Sequence, residues 1–504
     1  MQVSVVSQAS PPWTPARPRP AAGKPDVGDQ VSLSGASRTE VVRRVPYSRG
    51  GWLELLRDRD PHFVQRNFHP RQVHRNRELI EAFGTDRPHS GDVLLHYAGD
   101  PPDGVTVRET PVLLVQGASK TGDFWWDPRE DGSGRGLPQY LRERGFRVFA
   151  VTFAHNQDDQ FLWSQQIANA SERVRTLTGA ARIDLVAHSK GGQAARMYCS
   201  SVGQDWMTPY AGDVRRLVLV AAPNGGIDYS FRHPSANYAL YGDSDNPRLN
   251  APISWDRMVA WGQMHDVKDV GFGSQGPDYW PGQRQLLARW DHRYPLNRLE
   301  PDYYTSYHGG TGLVSEGRGI QHFIQEGGSL VERLDQSPID PSVQVAVMAG
   351  NKANIEGIVN EKAGPSDGLL LLQSAVKVPD STNVIAQDVL PLNHKSLVYD
   401  RRGLSWIHDV LTEENPRTLS AQERQATVQP LLEVEPAPEE APQITAAWAP
   451  MAPSGDPSSV PTTLVTLDQA AGLLACNGLV TPTPRIPFSS YGGFEGCVCG
   501  TRFA

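Results

Sequence analysis

The sequence predicts an α/β fold: a mostly parallel sheet with helices on both faces and one large inserted segment. Two patterns carry that expectation. Short apolar runs alternate with helical stretches through the middle of the chain, and strands separated by helices imply parallel βαβ units. One interval, from about residue 226 to 341, breaks the alternation. An unstructured loop of that length is improbable in a compact domain, so the interval is expected to fold as an insertion over the sheet.

Residues 1 to about 44 are rich in Pro, Ser, Ala and Arg without periodicity, which predicts a disordered lead-in. Val112-Leu113-Leu114-Val115 is an apolar run before Gly117 and reads as a buried strand. A helix is expected around Leu137 to Arg144, stopped by Gly145, and the β-branched and aromatic stretch Phe146 to Phe153 supplies the second strand. Trp163, Ile167, Ala170, Val174 and Leu177 then recur at spacings of four and three, one apolar helix face closed by Gly179. Ile183 to Val186 is a third strand leading into a helix from about Lys190. Leu217 to Val220 and Val343 to Met348 are the fourth and fifth, and a last helix runs from about Gly403 to Leu411.

The inserted segment, residues 227–341, holds Tyr229, Phe231, Tyr238, Tyr241, Trp255, Trp261, Phe272, Tyr279, Trp280, Trp290, Tyr294, Tyr303, Tyr304 and Tyr307. So many aromatic side chains need burial, either as a cap over a site or as added core. The foldable part is expected at residues 45–411, followed at 412–504 by a Pro/Ala/Glu linker and a tail.

Composition narrows the function classes. Of 504 residues, 39% are hydrophobic and 21% charged, which suits a globular domain with a large core. Lys and Arg number 48 against 56 Asp and Glu, a net charge of −8. That balance argues against nucleic acid as the partner, because phosphate backbones need clustered positive charge. No apolar run reaches 18 residues, so no bilayer span is expected. The N-terminus lacks the basic and apolar regions of a secretory signal, which leaves the compartment open between cytoplasm and export by a non-standard route. Three of the four cysteines (Cys476, Cys497 and Cys499) fall in the last 30 residues, and only Cys199 lies in the body. A disulfide scaffold is therefore not expected. Cys497-Val498-Cys499 is too tightly spaced for an ordinary zinc pair, and His62, His69 and His74 read as surface residues. No metal and no cofactor is expected.

The sharpest local signal is Ala187-His188-Ser189-Lys190-Gly191-Gly192, directly after one strand and directly before a helix. A serine nucleophile on a strained strand-to-helix turn needs small residues two positions before and after it; here they are Ala187 and Gly191. The helix N-terminus beneath it favours developing negative charge. A serine hydroxyl also needs a base, and the base an orienting acid, in the chain order Ser, acid, His for this topology. Asp367, in Gly364-Pro365-Ser366-Asp367-Gly368, and His394, in Leu392-Asn393-His394, fall in that order on loops. Asp340 and Asp380 compete for the acid, and His308 and His322 for the base. Oxyanion donors are expected at the backbone N–H of Lys190 and, beyond the turn made by Gly117, at Ala118. Trp125 and Trp126 follow closely and are expected to wall an acyl pocket.

Together, Val115-Gln116-Gly117, the A-H-S-K-G-G turn, Ala222-Pro223-Asn224-Gly225-Gly226, Ser366-Asp367-Gly368-Leu369 and Asn393-His394 resemble the bacterial triacylglycerol lipase/esterase branch of the α/β-hydrolases over roughly residues 110–400. The resemblance implies the α/β-hydrolase fold, a triad of Ser189, Asp367 and His394, oxyanion donors at Ala118 and Lys190, and a cap or lid at residues 227–341. Three departures stand out. Gln116 replaces the usual His, Leu370-Leu371 replaces Val-Pro after the acid, and the insertion is longer than in compact lipases. Long-chain triglyceride as the preferred substrate is thereby put in question, while acyl hydrolysis is not. The expected activity is serine-dependent hydrolysis of an ester with an apolar acyl or bulky alcohol part, with lipid-interface contact but no membrane span. A phospholipase, polyester depolymerase or acyltransferase would use the same triad. A hydrolase-like protein that only binds is the alternative from another class.

Overall fold

The computed structural model describes residues 38–69, 72–132, 135–234, 255–260, 263–266 and 278–433. The disorder expected before residue 38 and the linker, tail and late cysteines beyond 433 lie outside the described residues, as do Tyr238, Tyr241, Trp261 and Phe272.

The chain opens with a strand hairpin, β1 (Thr39–Pro46) and β2 (Trp52–Asp58), turned through Gly50 and Gly51. Gly51 has φ +70°, and a Cβ there would fall 2.0 Å from the Tyr97 carbonyl oxygen, so no larger residue fits. Next come β3 (Asp92–Tyr97), β4 (Val112–Val115), β5 (Val148–Phe153), β6 (Ile183–His188) and β7 (Val214–Val220). Helix α1 (Arg77–Phe83) precedes β3, while α2 (Leu137–Arg142), α3 (Gln160–Thr178) and α4 (Lys190–Cys199) lie in turn between β4 and β5, β5 and β6, and β6 and β7. The insertion carries β8 (Trp255–Ala260), β9 (Gln263–Asp266), β10 (Gly310–Thr311) and β11 (Ser315–Gly317). β12 (Gln344–Gly350) and β13 (Val384–Leu390) complete the strands.

Nine strands form the main sheet in the order β1-β2-β3-β5-β4-β6-β7-β12-β13. β1 to β3 run antiparallel, and from β5 to β13 every neighbouring pair is parallel. This is the α/β-hydrolase fold that the motifs imply. Alternation along the strands sends side chains to two cores. Leu114, Ala150, Val186 and Val218 pack on one face with Leu141 and Ile407; Leu113, Val151, Leu185 and Leu219 pack on the other with Trp163 and Ile167. The predicted periodic helix is α3. Asp159 caps it by accepting the Phe161 N–H at 2.7 Å, and Gly179 ends it at φ +70°.

Both domain limits move outward. β1 begins at Thr39, inside the segment expected to be disordered up to 44, and a helix at Ala421–Leu432 lies beyond the expected limit at 411. β1 is mostly exposed; it pairs with β2, and only its half-buried Val42 and Val45 reach the core. β2 hides from the hydropathy pattern because Glu54 within it is buried, its carboxylate held by Arg44 and Arg173 at 2.6 Å each. His69 and His74 are buried as well, contrary to the surface placement read from sequence; the His74 ring meets the Ala154 carbonyl at 2.8 Å. His62 is exposed and stacks on Trp206.

The described residues of the insertion are folded. β10-β11-β8-β9 make a four-stranded antiparallel sheet, and Phe231, Trp290, Tyr294 and Tyr307 are buried, whereas Tyr304 is exposed. Its root is a buried charge network. Arg232 donates to Asp228 at 2.8 Å and to the carbonyls of Tyr294 and Pro295 at 3.0 and 2.9 Å, and it lies 3.3 Å from Glu361. His233 sits between Glu361 at 3.2 Å and Glu300 at 3.4 Å. Burial alone would lower the His233 pKa, but the Glu300 and Glu361 carboxylates outweigh it and push it up to about 9. A pKa raised from the ordinary 6.5 stabilises the fold fully below pH ~6.5, and that contribution disappears as pH climbs through about 9. The expected size is about 3 kcal/mol. Urea unfolding at pH 7 and pH 10 should show this loss in the wild type and much less of it in His233→Gln; equal pH dependence in the two would refute the assignment.

Candidate active site

The turn between β6 and α4 forces Ser189 into φ 53°, ψ −129°, a conformation that L residues rarely hold. Such a conformation costs on the order of 1–3 kcal/mol and persists only where its surroundings fix it. Here the Ser189 N–H donates to Val220 O at 2.9 Å and its carbonyl accepts from Gly192 N at 2.8 Å. The following glycines are needed for closeness. A Cβ at Gly191 would lie 2.3 Å from Gln116 O, and one at Gly192 2.4 Å from the Ala222 Cβ. The hydroxyl is thereby presented at the C-terminal ends of the parallel strands.

Asp367 and His394 arrive from loops after β12 and β13. Asp367 is buried in a turn completed by Gly368 at φ +99°. One carboxylate oxygen, Oδ1, accepts the N–H groups of Leu369 and Leu370 at 3.0 and 2.8 Å; the other, Oδ2, lies 2.7 Å from His394 Nδ1. A carboxylate accepts, so Nδ1 carries the proton and Nε2 presents a lone pair. That Nε2 is 3.0 Å from Ser189 Oγ. The His394 backbone N–H also donates to Asp367 O at 2.9 Å, which ties the two loops together. Ser189, His394 and Asp367, more than 170 residues apart at the widest step between neighbours in chain order (189 to 367), thus form one hydrogen-bonded line.

The competing residues are engaged elsewhere. Asp340 accepts from Ser342, and Asp380, 89% exposed, faces Arg424. His308 lies 3.9 Å from Asp291, and His322 pairs with Glu326 within its own helix turn.

Gly117 abuts the serine: a Cβ on it would be 2.9 Å from Ser189 Cβ. Beyond it, no described protein acceptor takes the Ala118 N–H. The Lys190 N–H opens α4, where first-turn amides have no partner within the helix. The Lys190 side chain turns away from the serine and is fully buried. Its ammonium donates to Asp158 O at 2.7 Å and lies 3.3 Å from the Trp163 ring centre. Burial lowers its pKa to about 7 against the opposing pull of Asp158 and Asp159. Gln116, which stands where His is usual, is also buried; its amide bridges to β5, donating to Val151 O at 2.6 Å and accepting from Phe153 N at 3.3 Å.

Trp125 and Trp126 are a correction. They are 0% and 1% exposed and belong to the core, Trp126 packed edge-on to Tyr47 and tilted against His96. Walling an open acyl pocket is not their position. The ring that does lie beside the imidazole is His188, 4.8 Å from His394 between centres and stacked on Phe124. Burial, then the neighbouring His394, holds its pKa well below the ordinary value, so it is neutral and its Nε2–H donates to His394 O at 3.0 Å. The motif contains His188, but its role depends on a carbonyl 206 residues away, which no local pattern reveals.

Among the described residues no cluster of three His, Cys, Asp or Glu is arranged to hold a metal, and no helix is long and apolar enough to cross a membrane.

Residues 109–239 match the model of the family described as Lipase (class 2). The resemblance to bacterial lipases and esterases is thus found again by an independent comparison. Among solved structures, the lipase BlEst2 of Bacillus licheniformis in its mature form is 14% identical with a TM-score of 0.38, the match covering 63% of this chain and 98% of that one. Its propeptide form gives 14% identity and a TM-score of 0.40 over 65% of this chain and 55% of that one, so this chain spans about half of the longer form. The carboxylesterase CesB of Bacillus subtilis is 12% identical with a TM-score of 0.31, over 64% and 89% of the two chains.

Proposed function

We propose that the chain is a serine-dependent carboxylic ester hydrolase, and the observation that carries this is the unbroken Ser189–His394–Asp367 hydrogen-bond line. Ser189 Oγ attacks the ester carbonyl while His394 Nε2 takes its proton; Asp367 fixes the imidazole tautomer and faces the imidazolium that forms. The N–H groups of Ala118 and Lys190 receive the oxyanion. His394 then protonates the leaving alcohol, and an acyl-enzyme remains on Ser189. Water, deprotonated by the same nitrogen, releases the acid.

The substrate we infer is an ester with an apolar acyl or bulky alcohol part. The aromatic-rich insertion supports this, as do its exposed Leu299, Tyr304 and Leu313, which suit contact with a lipid surface. No specific observation favours the purely binding alternative, since each triad position is filled by a residue of the right type in hydrogen-bond reach.

An organophosphonate probe tests the reading directly. It should add one phosphonyl group per chain, on the Ser189 peptide, and none to Ser189→Ala. Modification of a different serine, with Ser189 untouched, would overturn the assignment.

A further inference from the structure

We propose that the Trp280–Gln285 segment of the insertion, acting through Gln157 and Ser119, positions the oxyanion loop, so that Gln157 and Gln283 are positioning residues for the reaction. This rests on the reading of Ala118 as an oxyanion donor. The argument starts at Ser119, the residue after Ala118. Ser119 has φ 59°, in the left-handed region that a non-glycine residue avoids. It is held there from one loop: its N–H donates to Asn156 O at 3.1 Å, and its hydroxyl accepts from Gln157 Nε2. Strain of this kind relaxes if its anchors leave, and the neighbouring Ala118 N–H would turn with it.

The anchor is itself anchored. Gln157 is buried, and its backbone N–H donates to His155 Nδ1 at 3.1 Å. His155 is kept neutral by burial, with its pKa lowered to about 3, and its Nε2–H donates to Asn67 O at 3.1 Å. The remaining groups of Gln157 go to the insertion: its side-chain oxygen accepts from Gln283 Nε2 at 2.5 Å, and its carbonyl accepts from Gly282 N at 3.0 Å. Gly282 is seated so closely that a Cβ would lie 1.9 Å from Asp158 O and 2.7 Å from Lys190 Cε. Gln285 closes the contact, accepting from Gln160 N at 2.7 Å, donating to Asp159 at 2.9 Å and receiving Gln193 Nε2 on its carbonyl at 3.3 Å. One short segment of the insertion therefore touches the neighbourhood of both oxyanion donors, the Ser119 side through Gln157 and the Lys190 side through Gly282. An insertion that only covered the site would not need these bonds. The segment is part of the catalytic frame.

The test uses Gln157→Met and Gln283→Met, which keep side-chain length and lose the amide, and Gly282→Ala, whose Cβ pushes the segment away from Asp158 and the Lys190 side chain while leaving both donor N–H groups in the sequence. On a soluble short-chain ester, kcat should fall about 10-fold, short of the full loss of a donor, with KM within about twofold. A trifluoromethyl ketone tests the hole itself. Ser189 Oγ adds to its carbonyl carbon, the hydroxyl proton passes to His394, and the carbonyl electron pair becomes the oxyanion. Its Ki should rise in proportion to the fall in kcat, while a non-reactive substrate analogue binds as in wild type. Phosphonate titration of Ser189 counts intact sites, so a variant that merely misfolds shows fewer sites with unchanged Ki; that outcome, or unchanged kcat and Ki in all three variants, overturns the proposal. If the wild type itself fails to label at Ser189, it is the hydrolase reading that falls.

Discussion

Ser189→Ala should lower kcat against a short-chain chromogenic ester about a million-fold, the largest single effect expected for this protein. The methyl group cannot attack a carbonyl, and the imidazole of His394, 3.0 Å from the missing oxygen, then has nothing to deprotonate but water. Residual rate enhancement would come from substrate binding and the oxyanion donors alone. Stability should change little, because Ala meets the same backbone strain at φ 53° and, among the described residues, the lost hydroxyl bonds to His394 alone. The check is a paired measurement of kcat and thermal midpoint. Wild-type activity in the folded variant would mean that the nucleophile is elsewhere, or that this site has a binding role only.

Asp367→Asn is expected to lower kcat about 10⁴-fold with the fold intact. The direction follows from how this carboxylate is held. Oδ1 accepts two backbone N–H groups, from Leu369 and Leu370, so the amide oxygen of Asn must stay there. The amide NH₂ then replaces Oδ2 opposite His394 Nδ1, 2.7 Å away, where a second donor faces a donor. The imidazole answers by moving its proton to Nε2, and Nε2 can no longer accept from Ser189. Neither Asp340 nor Asp380 can substitute, since they serve Ser342 and Arg424. Steady-state kinetics with a thermal melt decides it. A fall of tenfold or less would place the orienting carboxylate at another residue.

The parts of this protein that announce themselves in one dimension are those whose physics is local. An apolar strand such as Val112–Val115, the 3.6-residue period of α3, and the small residues around Ser189 each satisfy a constraint that spans only a few positions. Partly buried or charge-bearing strands do not. β1 offers the core only Val42 and Val45, β2 buries Glu54 against two arginines, and β13 is mostly half-buried, so hydropathy passes over all three. Trp125 and Trp126 show the opposite error: closeness in sequence to the oxyanion loop places them beside the site, yet the chain turns their rings into the core.

By itself the amino-acid order determined the α/β layering, the strained elbow and the three residue types in their order along the chain, because propensity, periodicity and turn sterics act between near neighbours. Tertiary structure alone decided which acid and which histidine meet Ser189, that His188 holds the backbone of His394, and that Gln283 reaches Gln157. Those are contacts across 27 to 206 residues. A hydrogen bond requires two atoms about 3 Å apart, and only the packed chain sets that distance between distant positions.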